Sequence, residues 1–318
     1  MNRRTVLLGA AGTLVAAAAG YALWSLGGPT DDREPFGKTG SPLSLRLRWP
    51  YDPAFAGELV AHRRGYFAEV GLDVDIRPGT LDSDPVALVT SGAEHIGIVG
   101  AGAFLGALSQ GLPLVAFCGG FLRSPVVFYA HADANIRSPK DFEGKRVGIQ
   151  AGQDTATVYH ALMNAQGVDT STITEVAVQY DFTPFLNREI DIWPGYASAQ
   201  SFILSNRAVP HTTLKPADFG VSFPGTVYCV QRDVFERRAA ELSMFLKAMM
   251  RGWNDAFTDP AAAAKDVVSY NAKNLREEFV RFALEKQAEF VRPPGYEFCR
   301  LNMDDVRRLH NEMIRTGS

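Results

Sequence analysis

The sequence predicts an α/β protein of two lobes joined by a hinge, with a helical C-terminal tail. Three observations carry this. Short apolar runs are followed by a polar turn, a helical repeat and a glycine; that grammar restarts near residue 145; and beyond residue 234 the pattern is helical only. At ~150 residues per domain, a chain of 318 residues also favours two domains.

The first lobe opens on Leu43, Leu45, Leu47 and Trp49, which alternate with Ser44, Arg46 and Arg48 at the two-residue period of a strand. Residues 50–53 break the run. Residues 54–70 then carry Phe55, Leu59, Val60 and Phe67 at helical spacing, and Gly71 stands where a helix ends. Val74 and Ile76 form the next strand, which completes a βαβ unit. A helix over 85–91, a strand over 95–99, an Ala- and Leu-rich helix entered through Gly100-Ala101-Gly102, and strands over 114–118 and 126–130 finish the first sheet. The second lobe repeats the plan: a strand over 146–150, a polar turn, a helix over 155–166 ended by Gly167, a strand over 173–178, a short helix over 182–188, and a short strand over 191–193 ending at Pro194-Gly195.

After a last strand at 227–230 the chain reads as helices over 234–257, 260–270, 275–290 and 303–315. A helical tail of that length needs a sheet to cover, which assigns it to the first lobe. The expected division is therefore 43–128 plus 227–318 for lobe 1 and 129–226 for lobe 2. Two crossovers, near 127–130 and 223–227, would make a hinge, and a cleft between hinged lobes is where a small ligand is held.

Residues 1–26 are of a different kind. Asn2-Arg3-Arg4 precedes a stretch from Val6 to Leu26 without a charge, and residues 16–20 are small. This is the pattern of a secretory signal or an uncleaved membrane anchor, and the paired arginines resemble a twin-arginine export signal. Residues 27–42, rich in Pro and Gly, read as a linker. The mature part is expected in the periplasm or cell envelope, as a monomer. A net charge of −3 gives no general attraction to nucleic acid. The three cysteines, Cys118, Cys229 and Cys299, are far apart, which excludes a disulfide scaffold and a cysteine zinc site and leaves any pairing open. The six histidines are scattered, with no metal spacing, and there is no nucleophile elbow or phosphate loop. No catalytic residue, metal or cofactor is expected.

Leu47-Arg48-Trp49, Gly65-Tyr66-Phe67-Ala68-Glu69-Val70-Gly71-Leu72-Asp73-Val74, Val89-Thr90-Ser91-Gly92-Ala93-Glu94 and Asp141-Phe142-Glu143-Gly144-Lys145-Arg146-Val147-Gly148 resemble blocks of type II periplasmic binding proteins. The similar subset contains the alkanesulfonate- and taurine-binding proteins and the thiamine-pyrimidine synthases, and the resemblance spans residues 43–257. It implies the two-lobed periplasmic binding protein type II fold with a hinged inter-lobe cleft. It also implies an ABC transporter substrate-binding protein that serves a membrane permease. The branch that recognises formylaminopyrimidine or related heterocycles is the most similar, because Trp49 and Asp191-Ile192-Trp193-Pro194-Gly195-Tyr196 add aromatics at strand ends. The alternatives are an alkanesulfonate- or taurine-type binding protein and a thiamine pyrimidine synthase-like enzyme using pyridoxal phosphate. The synthases' cysteine-rich iron motif has no counterpart here.

Ligands of open α/β lobes sit outside the carboxyl ends of the strands. Four segments end there: 49–52, 100–103, 151–155 and 193–196. Gly100, Ala101 and Gly102 offer backbone amides at a helix start, as does Gly152. Trp49, Tyr51, Trp193 and Tyr196 offer flat faces for a ring, and Trp193 is the strongest of them. Gln153, Asp154 and Thr155 open the second-lobe helix. Asp52 and Asp154 either accept from a ligand rich in donors or cap the helices that follow them; one residue can do both.

Overall fold

The computed structural model describes residues 42–80, 83–151, 153–179 and 181–316. The expected export segment and nearly all of the linker lie outside these residues, as does Gly152. The chain divides into two compact units: unit 1 holds the described residues up to Leu122 together with Thr226–Leu301, and unit 2 holds Arg123–Gly225 and the residues from Asn302 on.

Unit 1 is built on a five-stranded sheet of β1 (Leu43–Arg46), β2 (Val74–Arg77), β3 (Ile96–Gly100), β4 (Leu114–Gly119) and β10 (Thr226–Gln231), in the order β2-β1-β3-β10-β4. β1 runs parallel to β2 and β3, and β10 is antiparallel to both its neighbours. Leu43 and Leu45 are buried and Arg46 is not, as the alternation predicts, but Ser44 is buried too, its hydroxyl accepting from the His95 amide at 2.9 Å. The long helix expected over 54–70 is three pieces: a 3-10 turn Pro53–Phe55, α1 (Ala56–Arg63) and α2 (Tyr66–Glu69). The break falls at Gly65, whose φ of +77° is left-handed backbone that glycine adopts without penalty. α3 (Pro85–Thr90) starts at Asp84, which accepts from the Val86 amide at 2.9 Å, and α4 (Ala101–Ser109) follows β3 directly.

The tail covers unit 1 through α8 (Arg232–Arg237), α9 (Ala239–Thr258), α10 (Pro260–Val268) and α11 (Glu277–Val291). α9 lies against α1 at almost backbone contact: a β-carbon on Gly252 would overlap the Gly57 carbonyl and come within 2.9 Å of the Ala61 β-carbon. Glu58 is buried in the same layer. Its Oε1 accepts from the Tyr228 hydroxyl, while Oε2 has no partner. Burial raises its carboxyl to about 8, against the smaller lowering effect of its own amide and the Trp253 side chain nearby. Arg64 ties α1 to the tail through Asp255 at 2.7 Å and Asp266 at 2.8 Å.

Unit 2 has its own five-stranded sheet, β7-β6-β8-β5-β9, of β5 (Val126–His131), β6 (Arg146–Ile149), β7 (Thr174–Ala177), β8 (Ile192–Tyr196) and β9 (His211–Leu214). β5 is antiparallel to β8 and β9, and β6 is parallel to β7 and β8. Its helices are α5 (Asp154–Ala165), α6 (Thr183–Leu186), α7 (Gln200–Asn206) and α12 (Met303–Thr316).

Two elements stand elsewhere than expected. Residues 126–130 do not complete the first sheet: β5 is the strand between β8 and β9 in the second, and the position next to β4 belongs to β10. The last helix does not cover unit 1: α12 packs on α5, with Asn164 Nδ2 at 3.5 Å from Glu312 Oε1 and Val306 and Leu309 buried. The chain passes between units after Leu122, after Gly225 and, unforeseen, after Leu301.

Candidate functional site

In unit 1 the carboxyl ends of β1, β2, β3 and β4 form one rim, joined by the amino end of β10, since Thr226 registers with Gly100. β1 and β3 are adjacent and parallel, so the segment after β1 and the start of α4 are neighbours on that rim. Gly79, after β2, is held there too: its amide donates to the Trp49 carbonyl at 2.9 Å, and a β-carbon would lie 2.6 Å from the Arg48 carbonyl carbon. Only a glycine lets the two backbones come this close.

Trp49, Tyr51 and Asp52 are therefore fixed from several sides. The Trp49 ring lies 5.1 Å from Phe55 and beneath the Arg48 guanidinium at 5.4 Å. The Tyr51 hydroxyl donates to the Ile76 carbonyl at 3.0 Å, and its ring meets Tyr270 at 5.2 Å. Asn271 Nδ2 donates to the Tyr51 carbonyl at 3.3 Å. Asp52 Oδ1 accepts from the Ala54 amide at 2.9 Å, so the capping role expected of it is real. Burial raises its carboxyl to about 6, against the lowering effect of hydrogen bonds from Ala54 and the Trp49 side chain. Trp49, Tyr51 and Asp52 all keep part of their surface in solvent. Gly100 is the residue before α4 and gives it no side-chain cap, so the amides of Ala101 and Gly102 begin that helix without one.

Unit 2 has a corresponding rim at the carboxyl ends of β6, β7 and β8. Gln150 follows β6; its Oε1 accepts from the Thr155 hydroxyl at 3.0 Å and its Nε2 donates to the Gln179 carbonyl at 3.2 Å. Thr155 is thereby buried. Gln153 precedes α5 and Asp154 is its first residue, so Asp154 is not the residue before the helix, as a cap would be, but its first-turn acid. Tyr196 ends β8, half-buried, with its amide on Gln200 Oε1 at 2.8 Å.

Trp193 corrects the sequence reading most sharply. It is 1% exposed, three residues inside β8, in register with Tyr129 and edge-on to Phe182 at 5.3 Å. Pro194 does not stop the strand, which runs on to Tyr196 and pairs Pro194 with Phe128. The indole therefore belongs to the core of unit 2 and offers no face to a ligand. Tyr270 and Asn271, which steady the Tyr51 side of the first rim, carry no sequence signal. They lie 219 residues and more from Tyr51 and arrive there only because the tail folds back. Gln150 could have been found, since it stands directly before a segment already singled out.

Among the described residues no helix is long and apolar enough to cross a membrane.

Solved structures define the class to which this architecture belongs. The periplasmic aliphatic sulphonate binding protein SsuA from Escherichia coli superposes with a TM-score of 0.69 at 16% identity, over 87% of this chain and 88% of its own. The fold is that of the periplasmic binding proteins. Within it, the chain belongs to the NMT1/THI5 like family, whose model matches residues 52–263. The formylaminopyrimidine-binding protein of Halalkalibacterium halodurans is 26% identical over 257 residues, 77% of each chain. The 4-amino-5-hydroxymethyl-2-methylpyrimidine phosphate synthase of Schizosaccharomyces pombe is 26% identical over 75% of this chain and 73% of its own. The riboflavin-binding protein RibY of Chloroflexus aurantiacus is 25% identical over 70% of this chain and 64% of its own.

Proposed function

We propose that this protein is the exported solute-binding component of an ABC importer and that it captures a small nitrogen heterocycle of the thiamine-pyrimidine kind. The observation that carries this reading is the 49–52 turn, where an indole, a phenol and a half-buried carboxylate stand together on one strand-end rim beside the open start of α4. A flat ring gains from leaving water against aromatic faces. Its amino groups need an acceptor, and Asp52, which already accepts from Ala54 and the Trp49 side chain, is the carboxylate on this rim that could add such a bond. A sulfonate would gain nothing from that carboxylate. The relatives that bind formylaminopyrimidine and riboflavin by name support a heterocycle, and the fold supports a carrier. On unit 2, Gln153, Asp154, Thr155 and Tyr196 are the residues proposed to contribute.

The synthase named among the relatives supports a second reading, an enzyme of pyrimidine formation. Pyridoxal phosphate would need a lysine to hold it, and segments 49–52, 100–103, 151–155 and 193–196 contain neither lysine nor histidine. The residues present do not fit that cofactor.

Titration calorimetry of the purified protein against formylaminopyrimidine, riboflavin, an alkanesulfonate, taurine and pyridoxal phosphate tests both readings. The expected result is binding of a pyrimidine or flavin ring that weakens about 10-fold or more in Trp49→Ala, in line with ~1–2 kcal/mol for a lost stacking face. Binding of sulfonates alone would overturn the heterocycle, and pyridoxal phosphate as the sole ligand would restore the enzyme.

A further inference from the structure

The three buried cysteines have no part in the proposed function. Two of them meet. Cys118 lies near the carboxyl end of β4, and Cys299 lies in the segment between α11 and α12, just before the chain leaves unit 1 for the last time. They are 181 residues apart, yet their sulfurs stand 2.6 Å from one another, closer than two unbonded sulfurs can rest without overlap. The backbone is fastened at the same point. The Gly119 amide donates to the Cys299 carbonyl at 2.7 Å, and the Leu301 side chain comes within 3.0 Å of where a Gly119 β-carbon would stand. Cys299 has a φ of +67°, a left-handed conformation that a residue with a β-carbon keeps only where its surroundings impose it. Cys229 is not part of this pair: on β10, its sulfur faces Gly97 of β3.

We propose that Cys118 and Cys299 are joined by a disulfide in the mature protein. Each thiol gives up its proton and one electron, and the S–S bond forms. The two electrons and two protons pass to the disulfide of an external thiol oxidant, which leaves as a dithiol. To reach bond length the sulfurs close by about 0.6 Å. The bond ties the last connection out of unit 1 to the strand from which the first connection departs, a few residues before Arg123. The inference rests on the exported reading for its oxidant alone, since such bonds persist outside the reducing cytoplasm. The sulfur geometry is independent of it.

The test is a thiol count. Protein from the cell envelope is trapped with an alkylating agent at lysis, unfolded, and measured by intact mass and peptide mapping. A second sample of purified, reduced protein is first equilibrated with an oxidising glutathione mixture. The expected result is one alkyl group, on Cys229, with a peptide linking Cys118 to Cys299, and three alkyl groups after reduction. Reductant should also lower the Tm of the wild type and of Cys229→Ser by several degrees, with no effect on Cys118→Ser or Cys299→Ser. Three alkyl groups in the glutathione-treated sample, or a bond to Cys229, overturns the proposal. A bond that forms in glutathione from a chain recovered reduced in the cytoplasm supports the pair and instead overturns the exported reading. The count on the wild type stands whether or not the serine variants fold.

Discussion

Asp52 shows how one side chain can serve both the fold and the site. It caps the 3-10 turn that leads into α1 and carries a carboxyl raised by burial to about 6. Its folded value lies above the ordinary 3.8, so the native state holds the proton in the window between the two, and stability contributed by the neutral form is lost as pH rises through it. For the ligand the sign is opposite, because an acceptor of N–H donors is better charged. Affinity for an aminopyrimidine is therefore expected to fall about 10-fold between about pH 7 and about pH 5, as one protonation with a value near 6 requires. In Asp52→Asn that slope disappears, at an affinity about 10- to 100-fold weaker at neutral pH, the worth of one hydrogen bond to a charged group. Calorimetric titrations across that range, on both proteins, check this; an unchanged slope in the variant would assign the proton to the ligand or to another residue. Trp49 and Trp193 mark the limit of legibility at this scale. Both look like aromatics at strand ends in the sequence, yet one lies three residues beyond Arg46, the last residue of β1, and the other three residues before the end of β8. Strand ends read from sequence carry an error of that size.

Between helices, the contact of α1 with α9 is decided by two glycines. Intrinsic propensity says that alanine in place of Gly252, inside a 20-residue helix, should stabilise by about 1 kcal/mol. Packing says the reverse, because the new methyl would meet the Gly57 carbonyl, and backbone cannot step aside as a side chain can. Overpacking of this kind costs about 3 kcal/mol, so packing wins and Gly252→Ala is expected to lose a net ~2 kcal/mol. Denaturant unfolding measures it directly, and a midpoint at or above the wild type would show that α9 slides freely over α1. Such a contact is illegible in the sequence, where Gly252 reads only as a flaw in a helix. The elements themselves are mostly legible, for local reasons: β1 shows its alternation, α5 and α11 their periodicity, and Gly65 is a glycine inside an otherwise helical run. What failed is assignment to a sheet. Residues 126–130 and 303–315 read correctly as a strand and a helix but point to the wrong unit, because β5 finds its partners up to 86 residues downstream and α12 finds α5 about 150 residues upstream. Nothing local records those distances.

For the molecule as a whole, the order of the chain matters as much as the list of its elements. Unit 1 is interrupted by unit 2 and cannot complete its sheet until β10 enters between β3 and β4. Unit 2 then waits for α12, the last of the described elements in chain order. Each unit thus takes its final piece from chain synthesised after the other has begun, and the two cannot be cut apart at a single linker. A chain ended after Leu301 separates their stabilities. It keeps every element of unit 1, including Cys299, and takes from unit 2 the buried Val306 and Leu309. At about 1.5–3 kcal/mol for each apolar side chain returned to water, unit 2 loses at least ~3 kcal/mol. In hydrogen exchange this appears as roughly 100-fold faster opening of α5, β6 and β8, while amides of α1 and α9 keep their rates. Equal acceleration in α1 and α9 would mean that the two units unfold as one cooperative body, and no acceleration in α5 would mean that α12 contributes nothing to the unit on which it packs.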